Sequence, residues 1–218
     1  MAQIFPKWSN KVPPFLLIGV VLMMAGGVGF FWYFGSPKYT DIGYQPDQPV
    51  PYSHKLHAGD LGLDCRYCHI GVEVSASATV PPTQTCMNCH TLVKTDSEKM
   101  KLVQESWTTG KPIEWVRVHD LPDYAYFNHS AHINVGVGCI SCHGNVAEME
   151  KVKQVESLSM GWCLDCHRNP EAYIRPRDQV TNMKWTPPEN HLILARQTIE
   201  EMIINRTLIN LSYIYFKQ

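Results

Sequence analysis

All eight cysteines fall in four copies of one pentapeptide, Cys-x-x-Cys-His: Cys65-Arg66-Tyr67-Cys68-His69, Cys86-Met87-Asn88-Cys89-His90, Cys139-Ile140-Ser141-Cys142-His143 and Cys163-Leu164-Asp165-Cys166-His167. Thiols three residues apart lie about one helical turn from each other, so both can form thioethers to the two vinyl groups of one haem. The adjacent imidazole falls on the same face and can ligate iron. The expected chemistry is covalent attachment of four haems c through Cys65, Cys68, Cys86, Cys89, Cys139, Cys142, Cys163 and Cys166, with His69, His90, His143 and His167 on the irons. Zinc sites also use Cys-x-x-Cys pairs, but they do not require a histidine after every second cysteine. Disulfides in an exported chain would leave the same four histidines without a role.

A second ligand set comes from a repeat. Tyr52-Ser53-His54-Lys55-Leu56-His57 opens a stretch that ends at His90, and Phe127-Asn128-His129-Ser130-Ala131-His132 opens one that ends at His167. In each copy an aromatic residue precedes a good helix N-cap, Ser53 or Asn128, and then comes His-x-x-His. Helix positions three apart differ by about 60° around the axis, so the two imidazoles can reach irons on either side. Adding His54, His57, His129 and His132 to the four motif histidines makes eight, the number that four bis-histidine haems require. His119 and His191 are left over, and His119 is an alternative for one of the four. Met87, Met160 and Met183 lie near the motifs as possible thioether ligands, although methionine more commonly fills cores.

The elements that must position these groups follow from composition. The 218 residues are 44% hydrophobic, and a net charge of −1 carries no basic excess of the kind nucleic-acid binding needs. Phe15 to Phe34 runs twenty residues without a charge, long enough to cross a hydrocarbon core of roughly 30 Å as a helix. Phe30, Phe31, Trp32, Tyr33 and Phe34 follow where a signal peptide would show a small-x-small cleavage site, which favours a retained anchor. Lys7 and Lys11 precede the span, so the positive-inside tendency puts the N-terminus in the cytoplasm and the haem region outside. Gly19, Gly26 and Gly29 would admit a neighbouring helix.

The organisation expected is a cytoplasmic N-terminus (1–12), a transmembrane helix (13–35), an extended Pro-rich linker (36–51), dihaem repeat 1 (52–90), an inter-repeat helix and strand (91–126), dihaem repeat 2 (127–170) and a C-terminal partner-binding extension (171–218). Between the repeats, Thr95-Asp96-Ser97-Glu98 reads as a capping box leading into a helix that Gly110 and Pro112 stop. Residues 113–119 alternate like a strand. Short helices should carry each Cys-x-x-Cys-His, with Asn169-Pro170 ending the last. Arg66, Arg117, Arg168, Arg175 and Arg177 read as surface residues able to reach haem propionates. From Glu189 the tail is apolar and helical in type, and Leu208 to Phe216 alternates, so it should lie on a partner or the membrane surface.

With the anchor, Pro51-x-x-His54-x-x-His57-Ala58-Gly59, Pro81-Pro82-Thr83-Gln84-Thr85-Cys86, Trp115-Val116-Arg117-Val118-His119-Asp120-Leu121-Pro122-Asp123-Tyr124 and Met160-Gly161-Trp162-Cys163, the chain resembles the multihaem cytochrome c subunit of alternative complex III over about residues 10–185. The resemblance implies a mainly α fold with much irregular structure: a membrane-anchored, class III cytochrome-like protein with a haem-packed core of two tandem dihaem repeats. It also implies a subunit that relays electrons in a quinol:electron-acceptor oxidoreductase of the bacterial cytoplasmic membrane, with its haems on the periplasmic side. Electrons would leave towards a cytochrome c, a copper protein or a terminal oxidase. The implied partners are an iron–sulfur protein related to molybdopterin enzymes, multi-span quinol-binding subunits, a monohaem cytochrome c and membrane lipid. That family is described as pentahaem, whereas four attachment motifs stand here.

A second resemblance is to tetrahaem quinol dehydrogenases that stand alone and feed periplasmic reductases. In those the first motif follows the membrane closely and continues Cys-x-x-Cys-His-x-Met, whereas here thirty residues intervene and Ile70-Gly71 follows His69. A haem sensor or a catalytic multihaem reductase needs an open iron position, and eight available histidines argue against one.

Overall fold

Residues Val12–Phe34 form one uninterrupted α-helix, because no charge or interior proline breaks an apolar run whose prolines fall in its first turn. At about 1.5 Å per residue it is roughly 35 Å long, enough to span a membrane, and none of it is buried. Gly35 ends it, its N–H donating to the Phe31 carbonyl at 2.9 Å. The coordinates are a computed structural model that describes residues 4–201. The chain divides into two units, one up to Ile42 that holds this helix and one from Gly43 onwards.

In the second unit each Cys-x-x-Cys-His sits on its own short helix, Cys65–Cys68, Thr83–His90, Ile140–His143 and Met160–Arg168. Local capping explains where they begin and end. The Asp64 carboxylate accepts from the Arg66 N–H at 2.8 Å, and the Ser159 hydroxyl accepts from the Trp162 N–H at 3.5 Å. Asn169 and Pro170 end the last helix as expected.

The histidine pairs stand on helices of different kinds. Asn128 caps the α-helix His129–Asn134, its Oδ1 accepting from the Ala131 N–H. The equivalent Ser53 hydroxyl accepts from the Leu56 N–H at 3.1 Å, but the segment it starts, Lys55–Asp60, is a single π turn. Such turns are rare and concentrate at functional sites.

Two expectations for the inter-repeat region are corrected. The capping box does not form: a 3₁₀ turn Glu98–Met100 precedes the helix Lys101–Thr109, and Ser97 makes no side-chain cap. The helix does stop at Gly110, which adopts φ +72°. Residues 113–119 belong to no sheet, the Trp115 N–H turning back to the Ile113 carbonyl at 3.0 Å, and among the described residues the one β-bridge joins Val137 to Ile174. The Gln48 side-chain amide takes the place of a neighbouring strand. Its Oε1 accepts from the Val116 N–H at 3.0 Å and its Nε2 donates to the Val116 carbonyl at 2.9 Å. Alternation survives because Ile113 and Trp115 pack on the buried cluster Val50, Met87, Met100 and Val103.

The repeats meet along a close seam. A Cβ at Gly59 would strike the Ala147 carbonyl oxygen, so only glycine lets the π turn approach Val146–Glu148. There the Lys55 N–H donates to the Met149 carbonyl at 3.0 Å. Residues 171–182, grouped by sequence with the tail, pack back on both repeats. The Cys139 N–H donates to the Val180 carbonyl at 3.0 Å, and the Thr181 hydroxyl donates to Asp64 at 2.9 Å. Residues 191–201 are helical, with His191 and Ala195 buried and Leu192, Ile193 and Leu194 exposed. Met202, Ile203 and the alternation from Leu208 to Phe216 lie outside the described residues.

Candidate haem sites

Each His-x-x-His is held by the aromatic residue before it. The Tyr52 ring stacks on His57 at 4.4 Å and 23° and meets His54 edge-on at 4.8 Å and 87°. Phe127 repeats this, at 4.5 Å and 29° from His132 and 4.7 Å and 86° from His129. One ring thus sets both imidazoles in each repeat, with the two roughly perpendicular to one another.

The fold then faces histidines from the pairs towards histidines of the motifs. Ring centres are 6.2 Å apart for His57 and His90, 6.0 Å for His132 and His167, and 6.4 Å for His129 and His143. A metal ion held between two imidazole nitrogens at about 2 Å from each separates ring centres by roughly 6 Å. By repeat correspondence His54 falls to His69, which after burial has the largest electrostatic influence on it. Among the described residues no three His, Cys, Asp or Glu side chains converge as a bare metal ion would need.

The other ring nitrogen decides which way each imidazole faces. Nδ1 of His69 lies 2.8 Å from the Thr79 carbonyl oxygen, Nδ1 of His90 2.9 Å from that of Val93, and Nδ1 of His57 2.9 Å from that of Ser53. In the second repeat His129 and His132 use the Ala76 and Asn128 carbonyls at 2.9 and 2.8 Å. A carbonyl accepts only from N–H, so Nδ1 holds the proton and Nε2 keeps a free lone pair. This is how metal-binding histidines are commonly oriented. Sequence reasoning missed these acceptors, which are backbone atoms and leave no side-chain signal.

Burial keeps two of the histidines neutral and able to donate. It lowers His54 to about 4, helped by His69 and His57, and lowers His143 to about 3, helped first by His119 and then by His129. His54 Nδ1 is buried without a partner. The motifs themselves lie close together. The neighbouring Cys65 thiol, with burial, pushes Cys139 up, and burial together with Cys166 and Cys163 raises Cys142 to about 12.

His119 is not placed opposite a motif imidazole across such a gap. Its ring sits 4.4 Å from His143 at 88°, with its Nε2 3.3 Å from His143 Nδ1. Met87 is buried in the side-chain cluster with Val50, Met100 and Val103. Four of the five arginines are engaged at the surface: Arg66 with Asp64 and Glu73, Arg117 with Asp120, Arg168 with Asp165, and Arg177 with Asn134. Arg175 departs from that reading. It is buried over the Trp185 ring at 4.6 Å, its Nη1 donating to the Asn182 carbonyl at 3.2 Å and its Nε unpartnered. His191 is buried against the same ring.

Residues 36–120 match a family described as class III cytochrome C, and residues 125–185 match cytochrome c7 and related cytochrome c. The boundary between the matches falls where the histidine repeats divide. Class III-type and c7-type cytochrome domains thus follow one another along residues 36–185. Such cytochromes bind c-type haem covalently, and the donor set here fits: eight cysteines outside any disulfide, and three pairs of imidazoles with ring centres 6.0–6.4 Å apart. The cytochrome is also 29% identical over 173 residues to the multiheme cytochrome c subunit of menaquinone reductase from Nitratidesulfovibrio vulgaris (strain Hildenborough), covering 70% of this chain and 79% of that subunit.

Proposed function

We propose that this cytochrome is the haem-bearing relay subunit of a membrane quinone/quinol oxidoreductase of the alternative complex III kind. It carries four covalently bound haems, one on each Cys-x-x-Cys-His, with axial pairs His54/His69, His57/His90, His129/His143 and His132/His167. Bound haem supplies one-electron exchange between ferric and ferrous iron. The observation that carries the reading is three pairs of facing imidazoles at 6.0–6.4 Å, five of the six rings with Nδ1 engaged, which would supply three irons with two ligands each and leave no position for substrate; the fourth pair follows by repeat correspondence. The helix Val12–Phe34 is the anchor in the cytoplasmic membrane, and the haem domains lie on the periplasmic side.

In this role the chain itself has no quinone chemistry. Quinone binds in multi-span partner subunits, electrons cross an iron–sulfur partner and these haems, and a periplasmic carrier completes the path. The name of the Nitratidesulfovibrio relative favours a second reading of direction, in which electrons enter from the periplasmic carrier and reduce menaquinone.

The test is to purify the chain alone with its haems oxidised, add menaquinol, and follow haem absorbance, then repeat with the complex isolated from detergent-solubilised membranes. The relay reading predicts reduction only in the complex. Rapid, saturable reduction of the isolated chain, blocked by a quinone analogue, would instead make it a stand-alone quinol dehydrogenase. Supplying the complex with a reduced periplasmic carrier and menaquinone then separates the two directions.

A further inference from the structure

Among the described residues, six of the eight proposed ligands have an Nδ1 partner; five of these are anchored on a backbone carbonyl, and only His143 on a side chain, that of His119. The inference rests on the reading that His143 binds iron through Nε2. In that state Nδ1 carries the proton and donates, so Nε2 of His119 accepts across the 3.3 Å contact and the His119 proton sits on its Nδ1. His119 is itself fixed from behind. The next N–H, that of Asp120, donates to Oε1 of Gln154 at 3.3 Å, and Gln154 is only 2% exposed.

The same pair has a second peculiarity. His129 and His143 are within 6° of parallel, whereas His57 and His90 are tilted by 54° and His132 and His167 by 72°. An imidazole can turn about its iron bond, so its plane is set by whatever holds Nδ1. His119 meets His143 edge-on at 88° and leaves one orientation in which the hydrogen bond is made.

We infer that His119 is a positioning residue for the third haem. It locks the His143 ring parallel to His129 and, by accepting the Nδ1 proton, makes His143 a stronger donor to iron, which favours the ferric state of that haem alone. Near-parallel axial imidazoles give a rhombic low-spin ferric EPR signal, and planes turned towards perpendicular give one of large g anisotropy.

The experiment is EPR-monitored redox titration of the full-length holoprotein and its variants. The wild type should show one rhombic signal integrating to a single haem. His119→Ala should convert that signal to the large-anisotropy form and raise one midpoint potential, a tenfold change in the ferric-to-ferrous ratio being about 59 mV for one electron. His119→Gln, whose Oε1 can accept the same proton, should restore both. Unchanged spectra and potentials in His119→Ala would overturn the inference, and so would a new high-spin signal, which would make His119 an axial ligand. If the ligand assignment itself is wrong, the failure appears in the wild type, as a high-spin iron or no rhombic signal. Should His119→Ala not fold, 15N-histidine NMR of the diamagnetic ferrous wild type gives the answer. Coupling through the hydrogen bond between His143 Nδ1 and His119 Nε2 supports the inference, and its absence overturns it.

Discussion

Nδ1 of His129, in the second repeat, donates to the carbonyl oxygen of Ala76, in the first, at 2.9 Å. The His129 and Ser130 N–H groups reach the same loop, at the Ala76 and Ser75 carbonyls. Three residues further on, the Thr79 carbonyl accepts from His69. One loop therefore orients proposed ligands of both repeats, which makes the halves interdependent despite their duplicated sequences.

The stacked aromatic rings should matter for the same reason. Tyr52→Ala or Phe127→Ala removes the surface on which His57 or His132 rests, and each should cost about 2 kcal/mol, since the rings are only half-buried. His57→Ala and His132→Ala should each turn one haem high-spin without releasing it. Visible spectra of the four variants check this. A high-spin fraction of one haem in four is expected for each histidine variant, and unchanged spectra would remove that histidine from the ligand set.

Gly59 is expected to tolerate nothing larger. Its added Cβ would meet backbone oxygen, which cannot step aside as a flexible side chain can. Gly59→Ala should destabilise by about 2 kcal/mol through forced separation of the repeats. Gly161→Ala, with open space around it, should cost far less. Chemical denaturation of the two holoproteins gives the comparison.

Asp64 couples the first motif to acidity. Arg66 holds its carboxyl down to about 2, helped by Thr181, against an ordinary value of 3.8. A carboxylate depressed on folding stabilises the fold above its unfolded value and loses that contribution as pH falls, so the change lies between about pH 4 and pH 2. The group is 41% exposed and screened by solvent, so the cap rather than the ion pair sets the magnitude, about 1 kcal/mol. Asp64→Ala should lose that stability at neutral pH and flatten the acid limb of the stability curve. An acid limb identical to wild type would rule Asp64 out.

Much of the site was legible because chemistry fixes residue type there. Thioether formation needs cysteine and iron ligation needs histidine, so the four motifs and the two His-x-x-His pairs stood out, as did the aromatic residue before each pair. The short motif helices and the apolar N-terminal helix followed from local rules. Orientation was not legible. Carbonyls of Ala76, Thr79 and Val93 aim the imidazoles, and every residue has a carbonyl. The alternation at residues 113–119 had the period of a strand, but it arises from Ile113 and Trp115 meeting a side-chain cluster while the Gln48 amide satisfies Val116. The contact of His119 with His143 was not legible either, because spacing cannot distinguish a residue that could face iron from one that faces another histidine.

In the proposed function four haems are bound and two histidines close every iron. Intact mass with a denaturing haem stain gives the number of haems per chain, and integration of the ferric EPR signals gives the number that are low-spin. Four haems and four low-spin irons per polypeptide, with no high-spin signal, is the predicted result. A mass increment of three or five haems, or a high-spin ferric iron in the intact protein, would contradict it.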